Sequence, residues 1–114
     1  MDEVRSQVLV KHQDGHYVKF TDAELVTVLT EGLERTLRDY DQLGFTTDDV
    51  FRLAAIIAGL DELDLRRVCA PGKLVAIPVL RARKRGLIRK AIGGQVGSPV
   101  CHRRKKALWY RVAA

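Results

Sequence analysis

Beyond Asp64 the chain has no acidic residue. All 14 Asp and Glu fall within residues 1–64, where six bases oppose them for a net charge of −8, while residues 65–114 carry 14 Lys and Arg unopposed. The two parts cannot serve one electrostatic purpose. A membrane span is excluded as well, because no charge-free stretch approaches the ~20 residues that a spanning helix needs. The two cysteines are too few for a disulfide framework, and the start Met1-Asp2-Glu3 lacks the basic opening and apolar run of a secretion signal. These absences point to a reducing cytoplasm and to no membrane partner. Aromatic residues make up only 6% of the chain, so Leu, Val, Ile and Ala must fill the core. With 114 residues, 46% of them hydrophobic, and only three prolines, disorder is excluded and one soluble domain is expected.

What is present reads along the chain as local grammar. Val8 to His12 and His16 to Phe20 are rich in strand formers and flank Asp14-Gly15, a pair suited to the positive φ of a tight hairpin turn. A long helix is expected from Asp22 to Leu43. Thr21 and Glu24 form a capping box, Phe20 staples onto Leu25, Val26, Leu29, Leu33, Leu37 and Tyr40 recur at helical spacing, and Gly44 supplies the stop. The same signals repeat in Phe45-Thr46-Thr47-Asp48-Asp49-Val50, predicting a second helix to about Ala58 with Gly59 as its stop. Asp48 and Asp49 then serve the helix dipole and call for no metal. A short third helix is expected over 61–70, before the turn at Pro71-Gly72.

The segment from Lys73 to Arg85 reads as a fourth helix stopped by Gly86. Val75, Val79 and Ala82 point one way, and Lys73, Arg81, Lys84 and Arg85 cluster on the other. Pro78 inside it demands either a late start or a bend. Leu87–Ile92 and Ala107–Val112 alternate as two strands, joined by a loop with Gly93, Gly94, Gly97 and Pro99 that leads into His102-Arg103-Arg104-Lys105-Lys106. A folded basic surface of this kind attracts polyanions, with nucleic acid foremost, an anionic membrane surface second and an acidic protein third.

Three landmarks carry a resemblance over about 45–112. They are the Phe45-Thr46-Thr47-Asp48-Asp49-Val50 entry, the Arg83-Lys84-Arg85-Gly86-Leu87-Ile88 exit, and the Ser98, His102, Trp109 stretch ending in Leu108-Trp109-Tyr110-Arg111-Val112. Together they resemble winged helix-turn-helix DNA-binding proteins, and are most similar to small winged-helix proteins of bacteriophages, above all those of actinobacteria. Pro78 and Cys101 depart from that pattern. The resemblance implies an α+β fold: three short helices plus a β-hairpin wing in residues 45–114, preceded in residues 1–44 by an amino-terminal hairpin and one long acidic helix for packing or dimerisation. It implies a recognition helix at about 73–85 and a basic wing at about 93–106. The implied partner is double-stranded DNA, bound by a phage or phage-derived regulator through Lys73, Arg81, Lys84, Arg85, Arg89, Ser98, Arg103, Arg104, Lys105 and Lys106. A homodimer through the amino-terminal helix also fits.

Several constellations carry no chemistry at this level. Gly72-Lys73 lacks the following Ser or Thr and the upstream glycine of a phosphate loop. Cys69, Cys101, His12, His16 and His102 include no Cys-x-x-Cys pair, so no metal is expected, and His12 and His16 read as exposed hairpin residues. No nucleophile, base and acid fall together, so no enzyme, cofactor or small-molecule substrate is expected. The competing reading is a protein-interaction module whose acidic face, with Glu31, Glu34 and Asp39, engages a host protein.

Overall fold

The computed structural model describes residues 7–40, 44–70, 73–96 and 106–112. The architecture is α+β: a hairpin of β1 (Gln7–Lys11) and β2 (Tyr17–Thr21), helices α1 (Asp22–Tyr40), α2 (Thr47–Ala58), α3 (Glu62–Cys69) and α4 (Ala76–Lys84), and a second antiparallel hairpin of β3 (Ile88–Val96) and β4 (Lys106–Arg111).

Local signals set most boundaries. In the first hairpin Val10 stands opposite Val18 and Leu9 opposite Lys19, and Gly15 takes φ 104° at the turn, where a residue with a Cβ would be strained. At the start of α1 the Thr21 amide donates to the Glu24 carboxylate at 2.8 Å, and the Glu24 amide donates to the Thr21 hydroxyl at 3.2 Å. Thr46 and Asp49 repeat this reciprocal cap on α2, and the Asp61 carboxylate accepts the Asp64 amide at the head of α3. Two of the three orphan-donor problems are thus solved by the same device. The end expected at Leu43 lies outside the described residues, as does Pro71-Gly72.

The end of α2 is equally legible. Gly59 adopts a left-handed conformation, its amide donates to the Ile56 carbonyl, and the Leu60 amide donates to that of Ala55. This paired closure uses up carbonyls that the helix leaves free and turns Leu60 into the core, where it is buried.

Two apolar clusters form the interior, and α1 contributes to both. Leu25 and Leu29 of α1 meet Val10, Phe51, Ala54, Ala55, Leu60, Leu65, Cys69 and Leu74 in the first. One turn further along, Leu33 meets Phe45, Val50, Val79, Ala82, Ile88 and Trp109 in the second. Each cluster therefore draws residues from both 1–44 and 45–114. Between the two lies Gly32, packed against α2 so closely that a Cβ there would stand 2.6 Å from Ala54 Cβ and 2.7 Å from the Val50 carbonyl oxygen. Thr36, buried in the same seam, donates its hydroxyl to the Gly32 carbonyl at 2.7 Å and so leaves no unpaired polar atom.

The first hairpin is tied to α3 by Asp64. Its carboxylate accepts the Lys11 amide at 2.7 Å and pairs with Arg67 at 2.7 Å. Partial burial alone would raise its pKa, but the Lys11 amide and the Arg67 guanidinium outweigh that and hold the carboxyl below its ordinary value.

Two outcomes follow from this packing. Gly32→Ala gains about 1 kcal/mol of helix propensity, but the new methyl meets backbone that cannot rotate away, at an overpacking cost of about 1–3 kcal/mol or more. Urea unfolding should show a net loss of stability, partly restored in Gly32→Ala/Ala54→Gly; a variant as stable as the parent would refute the close contact. Asp64→Asn should cost about 1.5–3 kcal/mol at neutral pH, the range for a hydrogen bond to a charged group. Because the folded pKa is depressed, that contribution is present above the ordinary carboxylate value and lost as pH falls through the folded one. Unfolding curves of parent and variant should therefore converge in acid.

Candidate nucleic-acid interface

The expected recognition helix is shorter than the 73–85 read from sequence. Lys73 takes φ 51° in a turn closed by its amide on the Ala70 carbonyl and by the Leu74 amide on Cys69, and α4 begins only at Ala76. Pro78 is consequently the third residue of the helix, where no intrahelical donor is required, and its ring is buried. The late start resolves the proline without a kink.

The other end explains the exit motif. Gly86 takes φ 77°, its amide donates to the Arg83 carbonyl, and the Leu87 amide donates to Ala82 at 2.9 Å. This is the same closure that ends α2, and it redirects the chain so that Ile88 enters the core as the first residue of β3.

The cations of α4 surround its exposed side. Pro78, Val79 and Ala82 are buried, whereas Leu80, Arg81, Arg83, Lys84 and Arg85 are exposed. At 100° per residue Leu80 and Lys84 form the outer crest, with Arg81 and Arg85 on one flank and Arg83 on the other. Arg81 and Arg85 border a cleft of about 130 Å³ whose far wall is α1, with Thr30, Leu33, Glu34 and Leu37. Arg83 lies over the Trp109 ring at 5.6 Å, so the cationic edge of α4 meets the second hairpin at β4. There Arg89 stands opposite Tyr110 and lies over its ring at 4.9 Å, while Lys90, opposite Trp109, is exposed. Arg83 and Lys90 were not singled out in the sequence, although Arg83 belongs to the same basic run.

Ion pairing sharpens the segregation of charge. Every arginine of α2 and α3 has an acidic partner: Arg52 meets Asp49, Arg66 meets both Asp48 and Glu62, and Arg67 meets Asp64. Among the described residues, Lys73, Arg81, Lys84 and Arg85 form no ion pair. On the opposite charge, Glu31 and Glu34 share a shallow depression with Arg35, Arg38 and Ile57, and Asp39 pairs with Arg35, so the exposed side of α1 is mixed in sign.

The second hairpin differs from the form expected of a wing. Gly93 and Gly94, read as loop, belong to β3, and Lys106, read as the end of the loop, opens β4. The register shifts between Lys90 and Gln95, leaving Ala91, Ile92, Gly93 and Gly94 opposite the single residue Leu108. Ser98, Arg103, Arg104 and Lys105 lie outside the described residues. Trp109 is only 6% exposed within the second core cluster, and Tyr110 is half-buried beneath Arg89, so the indole offers no free face for stacking a base.

Cys69 is buried, and burial together with Asp22 pushes its thiol up to about 11, which keeps it protonated and unreactive. In comparisons with family models, with curated proteins and with solved structures, this chain matches none.

Proposed function

We propose that this chain is a non-catalytic protein that binds double-stranded DNA in the manner of a winged helix-turn-helix, with α4 in the major groove and the β3–β4 hairpin along the adjacent backbone. The observation that carries the reading is the set of exposed cations Lys73, Arg81, Lys84 and Arg85, which have no acidic partner in a molecule whose α2 and α3 arginines are all paired. An unpaired cation keeps its full attraction for phosphate, and releasing condensed counterions from DNA supplies most of the affinity.

Shape supports the same ligand. A helix with side chains is about 10–12 Å across and the major groove about 12 Å wide. On the crest of α4, Lys84 can pair with a guanine edge, and Leu80, 55% exposed, offers an apolar surface to a thymine methyl. Arg89 and Lys90 extend the positive surface onto the hairpin, and in the sequence Ser98, Arg103, Arg104, Lys105 and Lys106 follow between Val96 and Ala107. RNA is the weaker ligand, because single-strand readers expose aromatics and Trp109 is buried here. By its resemblance such a protein is a phage or phage-derived regulator.

Lys73 helps to separate binding from folding. Its left-handed backbone is strained for a residue with a Cβ, so Lys73→Gly should match or exceed the parent in stability while weakening DNA binding. Fluorescence anisotropy on a labelled duplex of roughly 25 base pairs, between about 50 and 200 mM salt, tests the whole reading. The parent should lose affinity steeply with salt, and Arg81→Gln, on the flank of α4, should reduce the log–log slope by ~0.9, one phosphate contact. Arg81→Glu/Lys84→Glu/Arg85→Glu should abolish binding, whereas Glu31→Lys/Glu34→Lys should preserve it. A flat salt dependence, or a triple variant that binds like the parent, would overturn the proposal.

A further inference from the structure

At the tip of the first hairpin three side chains of metal-ligating type converge. One ligand atom from each of His12, Asp14 and His16 lies within 4.8 Å of the other two. The turn itself assembles them. The Gly15 amide donates to the His12 carbonyl at 3.0 Å and the His12 amide to the His16 carbonyl at 2.7 Å, which brings the two imidazoles face to face with centroids 4.4 Å apart and planes 18° from parallel. Asp14 completes the group, its carboxylate accepting the His16 amide at 3.2 Å and contacting His16 Nδ1 at 2.5 Å. Nor is the tip a free loop. His12 pairs with Leu60, and the Gln13 amide donates to the Gly59 carbonyl at 3.0 Å, so the ligands stand on backbone anchored to the α2–α3 corner.

Two imidazoles and one carboxylate form a donor set suited to a borderline divalent ion such as Zn²⁺, and poorly suited to Mg²⁺ or Ca²⁺, which take oxygen. With bonds of about 2.0–2.1 Å, tetrahedral ligand atoms stand roughly 3.3 Å apart. Separations of up to 4.8 Å have to close by up to about 1.5 Å, and the stacked rings have to turn so that their in-plane lone pairs meet at one point; side-chain rotation supplies this at exposed Asp14 and His16, with half-buried His12 as the fixed side. His16 Nδ1 and the Asp14 carboxylate are already in hydrogen-bond contact, and an ion seated between them would replace that contact, taking the imidazole in its neutral form.

We propose that His12, Asp14 and His16 bind one divalent transition-metal ion of the Zn²⁺ type, through two ring nitrogens and one carboxylate oxygen, with solvent in the remaining coordination. Such an ion ties together the two ends of the turn that joins β1 to β2, and stabilises the folded chain as its occupancy rises.

Calorimetric titration of ZnCl₂ into the full chain, paired with thermal unfolding, tests this site without reference to DNA. The expected result is saturable binding of one ion and a higher melting temperature with Zn²⁺ than without. His16→Ala and Asp14→Asn should each weaken binding by ~10-fold or more, a loss seen even when only a hydrogen-bond partner of a ligand is removed. A circular-dichroism spectrum of metal-free His16→Ala that matches the parent's shows that the variant folds, apart from any stability lost with the His12 stack and the Asp14 contact. Cys101→Ser and His102→Asn, which remove other ligand types, should leave binding unchanged. Absence of saturable binding, or binding that is lost with Cys101 or His102 and survives without His16, would overturn the site.

Discussion

The close approach of α1 to α2 at Gly32 governs the rest of the molecule. Because Gly32 carries no side chain, Ala54 and the Val50 carbonyl can sit where a methyl would otherwise be. That contact places Leu25 and Leu29 against the first hairpin, α2 and α3, and Leu33 against α4 and the second hairpin. One helix thus serves as a wall for both clusters, and separating the two backbones would loosen each at once. Thr36 shows the same constraint from the polar side: it is fully buried, and its hydroxyl returns to the Gly32 carbonyl of its own helix.

Six acidic residues are spent locally, on caps and ion pairs of the first three helices and β1. Glu24, Asp49 and Asp61 cap helices, Asp48 and Glu62 hold Arg66, and Asp64 joins β1 to α3. Helix α4 has none of this. Val75 precedes it without a side-chain cap, a choice that costs about 1 kcal/mol relative to Ser or Asp. Pro78 offsets part of the deficit, since its fixed φ suits the first turn and it brings no orphan donor. An Asp cap at that position would place a carboxylate beside Lys73 and weaken the field that the proposed DNA contact requires.

How much was legible in the sequence depended on the range of the interaction. Capping boxes at Thr21 and Thr46, the stops at Gly59 and Gly86 and the turn at Asp14-Gly15 are decided within about six residues, and each stands as read. Gly32 is different: inside a helix it registers only as a weak helix former, and its use depends on Ala54, 22 positions away. The start of α4 lies three residues later than read because the run from Lys73 is apolar and basic in helical rhythm, while Lys73 itself takes a positive φ and stands outside the helix. Gly93 and Gly94 carry loop signals yet join β3, where an irregular register absorbs them. The His12, Asp14, His16 spacing was visible, but alternate positions on a strand and around a tight turn look the same in one dimension. Only the closed hairpin stacks the rings.

The proposed DNA contact uses a helix and a hairpin together and so requires a fixed angle between them, which Trp109 supplies. Its backbone exchanges two hydrogen bonds with Phe45, each 2.8 Å, so β4 is held to the residue that enters α2 as well as to β3. Its indole fills the cluster that holds Val79 and Ala82 of α4, and Arg83 covers it from outside. The Val112 amide closes the arrangement on the Leu87 carbonyl, just after the stop of α4, and the Arg111 guanidinium reaches the Leu37 carbonyl of α1 at 3.4 Å. Backbone pairing fixes the height of the hairpin, the buried indole fixes its tilt, and the guanidinium contacts tie both to the helices. The cations of α4 and those of β3 are therefore presented at a set separation before any ligand arrives, and the ordering that would otherwise oppose binding has already been met by folding.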